Sequence, residues 1–334
     1  MPAYPTIASA RDRFVLDHRP LRPANDAWAR PRVVVEDECA ADGGMARVAT
    51  IFLTGRECPW RCVMCDLWMH TTVGDTPAGA IVAQIAAARE PLASAWPVDV
   101  VKLYNAGSFF DPRAVPTSDY PAIAAQLRGV SRVIVESHPS LIGERTMRFV
   151  DALQRTSAGG RTPVLEVAMG LETANPDALE RLNKRMTIGT FVASASTLRH
   201  AGLALRTFLL ISPPFVPYDQ QDHWLEHSID LAIDCGASVV SLIPLRTGNG
   251  AIDALVANGL AQPPAMADIE RSAALALGRA AGTPARAFVD LWDLPRFSSC
   301  TLCVDRRLAR LDRINRTQRD APAVICPRCS AESA

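Results

Sequence analysis

Residues 58–65 read Cys-Pro-Trp-Arg-Cys-Val-Met-Cys, and this C-x3-C-x2-C run decides how the rest of the chain is interpreted. It comes soon after a short apolar run rich in β-formers at residues 48–53, so the cysteines occupy the loop at the carboxyl end of a predicted strand. In α/β folds, loops at that end of the strands carry ligands and catalytic groups. We therefore predict that Cys58, Cys62 and Cys65 hold one metal centre.

The number of thiols in this loop bears on the kind of metal. A structural zinc site takes four protein ligands, and Asp66 or His70 would have to complete one here. A four-iron cubane is usually held by four cysteines, so three cysteines would leave one iron open to another ligand. A zinc knuckle and three unrelated thiols remain the alternatives to an iron–sulfur cluster.

The composition is that of an ordinary globular protein. The chain has 334 residues, of which 49% are hydrophobic and 21% charged, and this balance excludes a mostly disordered chain. Its 35 basic and 35 acidic side chains cancel, so no global basic field indicates DNA or an anionic membrane as a partner. We find neither a spanning segment of about 20 apolar residues nor the apolar core of a signal peptide. We therefore expect a cytoplasmic protein, in which nine cysteines favour metal or catalytic roles over disulfides.

Short strands and helices alternate between residue 48 and about residue 280. Strands are predicted at residues 48–53, 98–104, 132–135, 164–168, 204–211 and 238–243. Helices are predicted between and after them at residues 81–88, 120–126, 146–154, 177–182, 190–200, 224–235 and 265–281. This alternation indicates βαβ units and a parallel sheet. Six strands are too few for a complete eight-stranded barrel, so the pattern predicts an α/β fold with either a doubly wound sheet or a partial barrel.

The pattern divides the chain into three segments. Residues 1–43 are rich in Pro, Arg and Asp with little periodicity, and we predict an N-terminal extension that packs over a domain. Residues 44–283 form the predicted core domain. Residues 284–334 are rich in Arg and contain paired cysteines, which predicts a small C-terminal Cys-rich module.

The cysteine loop and four later segments together resemble the radical S-adenosylmethionine (radical-SAM) superfamily. They read TGRECPWRCVMCDLW (54–68), LYNAGSFFDP (103–112), VESHP (135–139), MGLETANPDALERLNKRMT (169–187) and LRTFLLISPPF (205–215). The core, about residues 44–280, is similar to those of the Elongator catalytic subunit, the oxygen-independent coproporphyrinogen dehydrogenases and the methylthiotransferases. It most resembles the radical-SAM subunit involved in archaeosine formation and uncharacterised relatives of that subunit.

The resemblance implies a fold, two cofactors and a reaction. The fold would be a partial (β/α)6 TIM-like barrel, with a [4Fe–4S] cluster on Cys58, Cys62 and Cys65. S-adenosylmethionine would chelate the open iron, and one electron would cleave it to a 5′-deoxyadenosyl radical that abstracts hydrogen from the substrate. The protein would hold the cofactor and exclude solvent, and an electron donor such as a flavodoxin or ferredoxin would supply the electron.

The resemblance also assigns cofactor contacts near the first predicted strands. Relatives carry Gly-Gly-Glu or Gly-Gly-Thr after the second strand to hold the methionyl amino group, whereas this chain has Asn105, Ala106 and Gly107. We therefore expect backbone contacts there in place of a side-chain acid. Position 64 is often aromatic in relatives and is Met64 here, which changes the packing against adenine.

Three charged residues further along the chain complete the implied cofactor site. Glu136, in VESHP, matches an acid that contacts the cofactor in relatives. Glu172, in GLET, stands where relatives carry a Gln. Lys184 matches the Arg or Lys that reaches the cofactor carboxylate, where a cation suits a buried anion. The alternative for both glutamates is a surface pair at strand ends.

The C-terminal module contains two C-x2-C pairs, separated by residues 304–325. Two such pairs make a tetrahedral four-sulfur site, for which zinc is the default occupant. We predict one structural metal there, and the resemblance adds an auxiliary [4Fe–4S] cluster as the alternative to zinc. The four ligands are Cys300, Cys303, Cys326 and Cys329.

The spacer between the cysteine pairs bears on the substrate. It is predicted to be helical, with Arg306, Arg310, Arg313 and Arg316 along one side. A basic helix fixed by a metal can follow a phosphate backbone, which favours RNA, whereas a solvated face and the neutral overall charge favour a small molecule. The alternative to an enzyme is a non-catalytic iron–sulfur or zinc-binding regulator on the same fold.

Overall fold

A computed structural model describes residues 4–331 except residues 93–95, 97, 106, 158, 159 and 161. Its strands are β1 (Arg32–Cys39), β2 (Met45–Leu53), β3 (Val100–Asn105), β4 (Arg132–Glu136), β5 (Val164–Glu172), β6 (Ala204–Ile211), β7 (Ala237–Pro244) and β8 (Arg286–Val289). Its α-helices are α1 (Ala8–His18), α2 (Ala80–Arg89), α3 (Tyr120–Gln126), α4 (Glu144–Thr156), α5 (Pro176–Arg181), α6 (Ile188–His200), α7 (Gln221–Asp234), α8 (Ala251–Ala257), α9 (Met266–Ala280), α10 (Val304–Thr317) and α11 (Pro327–Ala331).

The eight strands form one sheet in chain order, from β1 to β8. Strands β2 to β8 are parallel, and β1 pairs with β2 in the antiparallel direction. The sheet curls until Cys39 at the end of β1 packs against Val239 of β7 and Phe288 of β8. The predicted α/β partial barrel is therefore confirmed, and all six predicted strands are present.

Two strands of the sheet were not predicted. β1 lies in the Pro-rich segment 1–43, and β8 has only four residues and follows Pro284. Both join the sheet of the core, through pairs such as Arg32 with Phe52 and Leu242 with Val289. The three-segment division of the chain stays a prediction, with the added observation that one sheet runs through all three segments.

The main core lies between the sheet and the helices on its outer face. Strand residues that alternate along the parallel strands, such as Ile51, Leu103 and Val135, are fully buried against apolar helix residues such as Ile85 and Phe149. The opposite strand face carries a smaller inner cluster, so most strands are buried on both faces. This is why they read as continuous apolar runs in the sequence.

Charged side chains fill the amino-terminal half of the inner face. Arg206 bonds Glu166 at 2.7 Å and Glu38 at 2.5 Å, and Lys102 also pairs with Glu38. Arg132 completes the group with a 2.7 Å contact to Glu166. Burial opposes ionisation of Glu38, but Arg206 and Lys102 outweigh it and lower its pKa to about 2. This paired network fills the half-barrel at the amino-terminal ends of the parallel strands. We therefore expect an open site at their carboxyl ends.

The N-terminal helix packs over that carboxyl end. Arg11 of α1 contacts Glu180 of α5 at 3.1 Å, and the Tyr4 hydroxyl donates to the Arg181 carbonyl at 2.7 Å. Gly250, with φ 82°, lies against the last residue of α1, and a Cβ at this position would stand 1.7 Å from the His18 carbonyl oxygen. Within the described ranges, no helix has both the length and the apolar character needed to cross a membrane.

Candidate metal and cofactor site

The three loop cysteines lie at the carboxyl end of β2, where the sequence placed them. Cys62 is buried, and Cys58 and Cys65 are half-buried. Burial raises the pKa of all three thiols, to about 12 at Cys65, and the charge of a neighbouring thiolate raises those of Cys62 and Cys65 further. The thiols therefore hold their protons in this structure, and a metal that binds them must displace those protons.

The spacing of these thiols differs from that of a single-ion site. In the part of the chain that the structure describes, the C-terminal cysteines are the one group of three or more metal-ligating side chains whose ligand atoms all lie within 4.8 Å of one another. The sulfurs of Cys58, Cys62 and Cys65 therefore do not all lie within 4.8 Å of one another. A four-iron cubane is larger than a single ion and holds its thiolates further apart. Three cysteine ligands fit such a cluster with one iron left open.

Side chains from distant parts of the sequence fix the shape of the cysteine loop. Asn249 is buried and donates from Nδ2 to the carbonyl oxygens of Val63, at 2.8 Å, and Cys65, at 3.2 Å. Its Oδ1 accepts from the Ile252 amide and caps α8. The Val63 amide donates to the Leu182 carbonyl at 3.0 Å. One amide side chain therefore couples the loop to the β7–α8 connection.

Glu57 organises the start of the loop. Its carboxylate pairs with Arg19 at 2.8 Å, with Arg61 at 3.1 Å and with Arg22. Arg61 also donates to the Cys58 carbonyl at 2.8 Å. This group joins the N-terminal segment to the cysteine loop.

His138 supports the loop from β4. Its ring stacks on Trp60 with centroids 3.7 Å apart and planes 10° from parallel. The Ser140 amide donates to Nδ1, so Nε2 carries the proton and donates to the Lys184 carbonyl at 2.9 Å. Burial, followed by the nearby Lys184 ammonium, lowers the pKa of His138 to about 3. His138 is therefore a neutral strut between the cysteine loop and the backbone of Lys184.

Glu172 and Lys184 form a buried ion pair beside the thiols. Lys184 Nζ lies 2.5 Å from Glu172 Oε1, and each side chain is 10% exposed. Burial lowers the pKa of Lys184, but the Glu172 carboxylate and the thiolates of Cys62 and Cys58 more than offset this and raise it. The alternative of a surface pair at strand ends therefore does not hold for Glu172, which is buried against a cation.

The backbone at the end of β5 makes room for this pair. Glu172 has φ 68°, and the β5–β6 register shifts between Gly170 and Glu172. A Cβ at Gly170 would stand 2.0 Å from Glu172 Oε1 and 2.3 Å from Lys184 Nζ. A side chain at position 170 would displace the pair, so a glycine is needed there.

Glu136 and Asn105 lie next to this pair at the ends of β4 and β3. Burial, opposed by the Asn105 backbone amide and Lys184, raises the pKa of Glu136 to about 8. The Asn105 amide donates to Glu136 Oε2 at 3.2 Å. Asn105 Oδ1 is buried and accepts no hydrogen bond from the described residues. Glu136 and Asn105 thus bring a carboxyl group and a buried amide oxygen to adjacent strand ends, and such oxygens can accept hydrogen bonds from a cation such as an α-amino group.

The remaining predicted contacts are placed as follows. A Cβ at Gly107 would stand 2.6 Å from the Arg56 carbonyl oxygen, so this position allows the chain to pass close to the cysteine loop. Met64 is partly buried and packs in a small cluster that includes Tyr4 and Leu245. Ala106 lies outside the described residues. The roles of these residues toward a cofactor stay predictions.

The four C-terminal cysteines come together as predicted. Their sulfurs all lie within 4.8 Å of one another, and the pairs Cys300–Cys326 and Cys303–Cys329 are 3.8 Å and 3.7 Å apart. Cys300, Cys303 and Cys326 are buried and Cys329 is half-buried. The predicted Cys-rich site is therefore confirmed as a group that can hold a metal.

Some arginines of α10 bind other parts of the protein, and others are exposed. Arg310 donates to the Ala321 carbonyl at 2.8 Å and pairs with Asp320 and Glu270. Arg306 donates to the carbonyl of Ile325 at 3.1 Å. These two bind the segment that returns to the second cysteine pair, whereas Arg313 is exposed on the same helix. The arginine-rich side of α10 is thus partly used for contacts within the protein.

The sequence did not indicate that Asn249 and His138 hold the cysteine loop in shape. Asn249 stands in Leu-Arg-Thr-Gly-Asn-Gly after a predicted strand, and its glycine neighbours indicate only a loop. His138 adjoins the predicted contact Glu136, which is the one local signal for it. Their partners lie 186 and 46 residues away, at Val63 and Lys184, so no local pattern reveals them.

Comparisons with known proteins support the resemblance stated from the sequence. No family model matches the chain. It is 26% identical to archaeosine synthase subunit beta of Methanosarcina acetivorans over 269 residues, 77% of this chain and 73% of the relative. It is 28% identical over 159 residues to archaeosine synthase subunit beta of Thermococcus kodakarensis, and the match spans 47% of that relative and 46% of this chain. The predicted similarity to the archaeosine-synthase subunit is confirmed.

Solved structures with a similar backbone were also found. Methylornithine synthase has a TM-score of 0.44 and 11% identity, covering 98% of this chain and 90% of its own. The archaeal Elp3 of Methanocaldococcus infernus has a TM-score of 0.44 and 11% identity, covering 68% of this chain and 53% of its own.

Proposed function

We propose that this chain, similar in sequence to archaeosine synthase subunit beta, is a radical-SAM enzyme whose Cys58, Cys62 and Cys65 hold a [4Fe–4S] cluster. When bound, the cluster and S-adenosylmethionine supply reductive cleavage of the cofactor to a 5′-deoxyadenosyl radical, which takes a hydrogen atom from the substrate. The single observation that carries the proposal is the loop of three cysteines beside a buried lysine at the carboxyl end of the parallel strands.

The charged residues around the loop suit the methionyl end of the cofactor. Lys184 stays charged in a buried place and would bind the cofactor carboxylate through a charge-assisted hydrogen bond. Glu136 and the buried Asn105 Oδ1 would accept from its amino group. Approach of that cation would favour the ionised form of Glu136 and lower its pKa.

The scaffold residues hold the loop and exclude water. Asn249 and His138 fix two sides of the loop through buried hydrogen bonds and ring stacking. The helix α1 lies over the N-terminal side of the loop, and Tyr4 packs in one apolar cluster with Val63 and Met64 of the loop. A solvent-shielded site protects a reactive radical from side reactions.

For the substrate we propose a modified RNA base, with a free small molecule as the alternative. The exposed Arg313 of α10 and the archaeosine in the names of the relatives support the first. A flavodoxin or ferredoxin would supply the electron. The C-terminal cysteines are assigned no part in this chemistry, because four ligands leave no open coordination position.

Cluster loading tests this assignment. Wild type, the Cys58→Ala/Cys62→Ala/Cys65→Ala variant and a Cys326→Ala variant are reconstituted anaerobically with iron and sulfide, and iron and the cluster absorption are measured. We expect about four irons per chain in wild type and Cys326→Ala, and loss of this iron in the triple variant. A triple variant that keeps its full iron complement and absorption contradicts the assignment of the cluster to this loop.

A further inference from the structure

We propose that Cys300, Cys303, Cys326 and Cys329 bind one zinc ion, and that this ion fastens α10 to the free edge of β8. This zinc site is separate from the radical chemistry proposed above and does not depend on it.

The distances between the sulfurs match a single tetrahedral ion. With Zn–S bonds of about 2.3 Å, the sulfurs of a tetrahedral site lie about 3.8 Å apart. The observed distances are 3.8 Å for Cys300–Cys326 and 3.7 Å for Cys303–Cys329, and all four sulfurs lie within 4.8 Å of one another. Each contact joins one C-x2-C pair to the other, as two zinc knuckles facing one ion do.

A cubane does not fit the same four sulfurs. It would need all of them to move apart, and the starts of two helices hold two of them in place. Cys303 directly precedes α10, and Cys326 directly precedes α11. Both side chains are at most 3% exposed, so the surrounding atoms leave little room for a larger cluster.

The helix that starts at this site covers the last strand of the sheet. Asn315 of α10 accepts from the Val289 amide at 2.9 Å and donates to the Val289 carbonyl at 2.8 Å. Gln318, which follows α10, accepts from the Ala287 amide at 2.9 Å and donates to the Ala287 carbonyl at 3.0 Å. The two side-chain amides therefore take the hydrogen bonds that another strand would take on this edge.

Covering this edge has a structural purpose. An uncovered edge strand presents unpaired amide and carbonyl groups that pair with other chains. β8 is such an edge strand, with outward-facing amides at Ala287 and Val289. Asn315 and Gln318 give it partners without extending the sheet.

A bound metal would keep the side-chain amides of Asn315 and Gln318 in register with β8. One end of α10 is tied at Cys303, and the returning segment is tied at Cys326. Arg306 and Arg310 bind the carbonyls of that returning segment, and Arg307 and Arg310 pair with Glu270 of α9 at 3.4 Å. Metal binding adds folding free energy, because the four ligands come together only in the folded state.

Metal analysis and hydrogen exchange test the proposal. Wild type, the loop variant Cys58→Ala/Cys62→Ala/Cys65→Ala, Cys326→Ser and Asn315→Ala/Gln318→Ala are expressed with zinc and iron both present, with Cys235→Ser as the matched cysteine control. We expect about one zinc per chain in all of these except Cys326→Ser. Exchange at the Ala287 and Val289 amides should accelerate at least about tenfold in Cys326→Ser and in the amide variant, and stay unchanged in Cys235→Ser.

The wild-type chain supplies a test that needs no folded variant. Cobalt(II) added to protein stripped of zinc should give the intense visible bands of tetrahedral cobalt with four thiolates. A loop variant that holds about four irons and no zinc, together with absent cobalt bands, would show a second cluster and overturn the zinc assignment. Zinc loss from a folded Cys326→Ser protein with unchanged exchange at β8 would overturn the role at the sheet edge.

Discussion

Replacement of Lys184 by methionine tests the buried ion pair on which the proposed cofactor site depends. Methionine keeps the length of the side chain and removes its charge. In the structure, Lys184 Nζ lies 2.5 Å from Glu172 Oε1, and both side chains are 10% exposed. Lys184→Met would therefore leave a buried carboxylate without its cation.

The expected magnitude follows from that burial. Removing one partner of a buried ion pair costs about 3–5 kcal/mol of unfolding free energy, whereas an exposed pair contributes about 0–1 kcal/mol. We expect Lys184→Met to fall in the first range near pH 7. The Lys184→Met/Glu172→Gln variant should recover most of the loss, because no unpaired charge remains.

The pH dependence of the loss has a definite sign. A buried carboxylate that has lost its cation binds a proton more readily in the folded state than in the unfolded chain. The destabilisation should therefore grow as pH rises from about 4 to 8, and shrink in acid. Urea unfolding of protein without cluster or cofactor, followed by circular dichroism at several pH values, measures it.

A surface pair supplies the control. Arg148 and Glu144 lie 2.6 Å apart on α4 with 59% and 78% of their side chains exposed. Arg148→Met should cost less than about 0.5 kcal/mol. If Lys184→Met costs no more than Arg148→Met, or if its loss does not change with pH, the pair is not buried as described and the reasoning is refuted.

Two further variants test the neighbours of this pair. Burial raises the pKa of Glu136 to about 8, so the folded state holds a proton that the unfolded state loses, and stability should fall between about pH 4.5 and 8. Glu136→Gln should reduce that fall while the exposed Glu144→Gln does not, and a thermal-unfolding profile unchanged by Glu136→Gln would contradict the shift. Asn249→Ala removes three hydrogen bonds and should destabilise the protein by about 2–4 kcal/mol. It should also speed the loss of reconstituted iron to a chelator. The control Asn258→Ala, at an exposed position at the end of α8, should do neither. Equal iron-loss rates for Asn249→Ala and Asn258→Ala would show that Asn249 does not hold the loop.

Local patterns were sufficient for most of the barrel. The parallel strands are buried on both faces, and their apolar runs stand out against the polar turns between them. Helices such as α4 are amphipathic, with Phe149 and Leu153 buried and Arg148 exposed, so their period is readable. The cysteine loop could be found because its spacing and its position after a strand are both local.

The two missed strands lacked such patterns. β1 is an antiparallel edge strand whose charged Glu38 points toward Lys102 and Arg206 on the inner face, contrary to the usual burial of apolar residues. β8 has four residues, and side-chain amides from α10 form its outer hydrogen bonds. Both are stabilised by contacts between distant residues, which a local pattern does not contain.

The candidate site, like the fold, could be predicted only in part from local sequence. Glu136, Glu172 and Lys184 were placed by a family likeness, whereas their charges and pairing depend on the folded environment. The salt bridge of Lys184 with Glu172 spans 12 residues, but its burial depends on the space left by Gly170 and on the neighbouring thiols. The sequence thus located these residues, and the fold decided which of them is paired and which is protonated.

The most direct measurement of the central claim is the fate of S-adenosylmethionine. Reconstituted wild-type protein is incubated anaerobically with dithionite and S-adenosylmethionine, and the products are separated by chromatography, with the Cys58→Ala/Cys62→Ala/Cys65→Ala variant as the control. We predict 5′-deoxyadenosine and methionine from wild type, slowly even without substrate, and neither from the variant. A fully loaded wild-type cluster that forms no 5′-deoxyadenosine would contradict the account and favour a non-catalytic iron–sulfur protein.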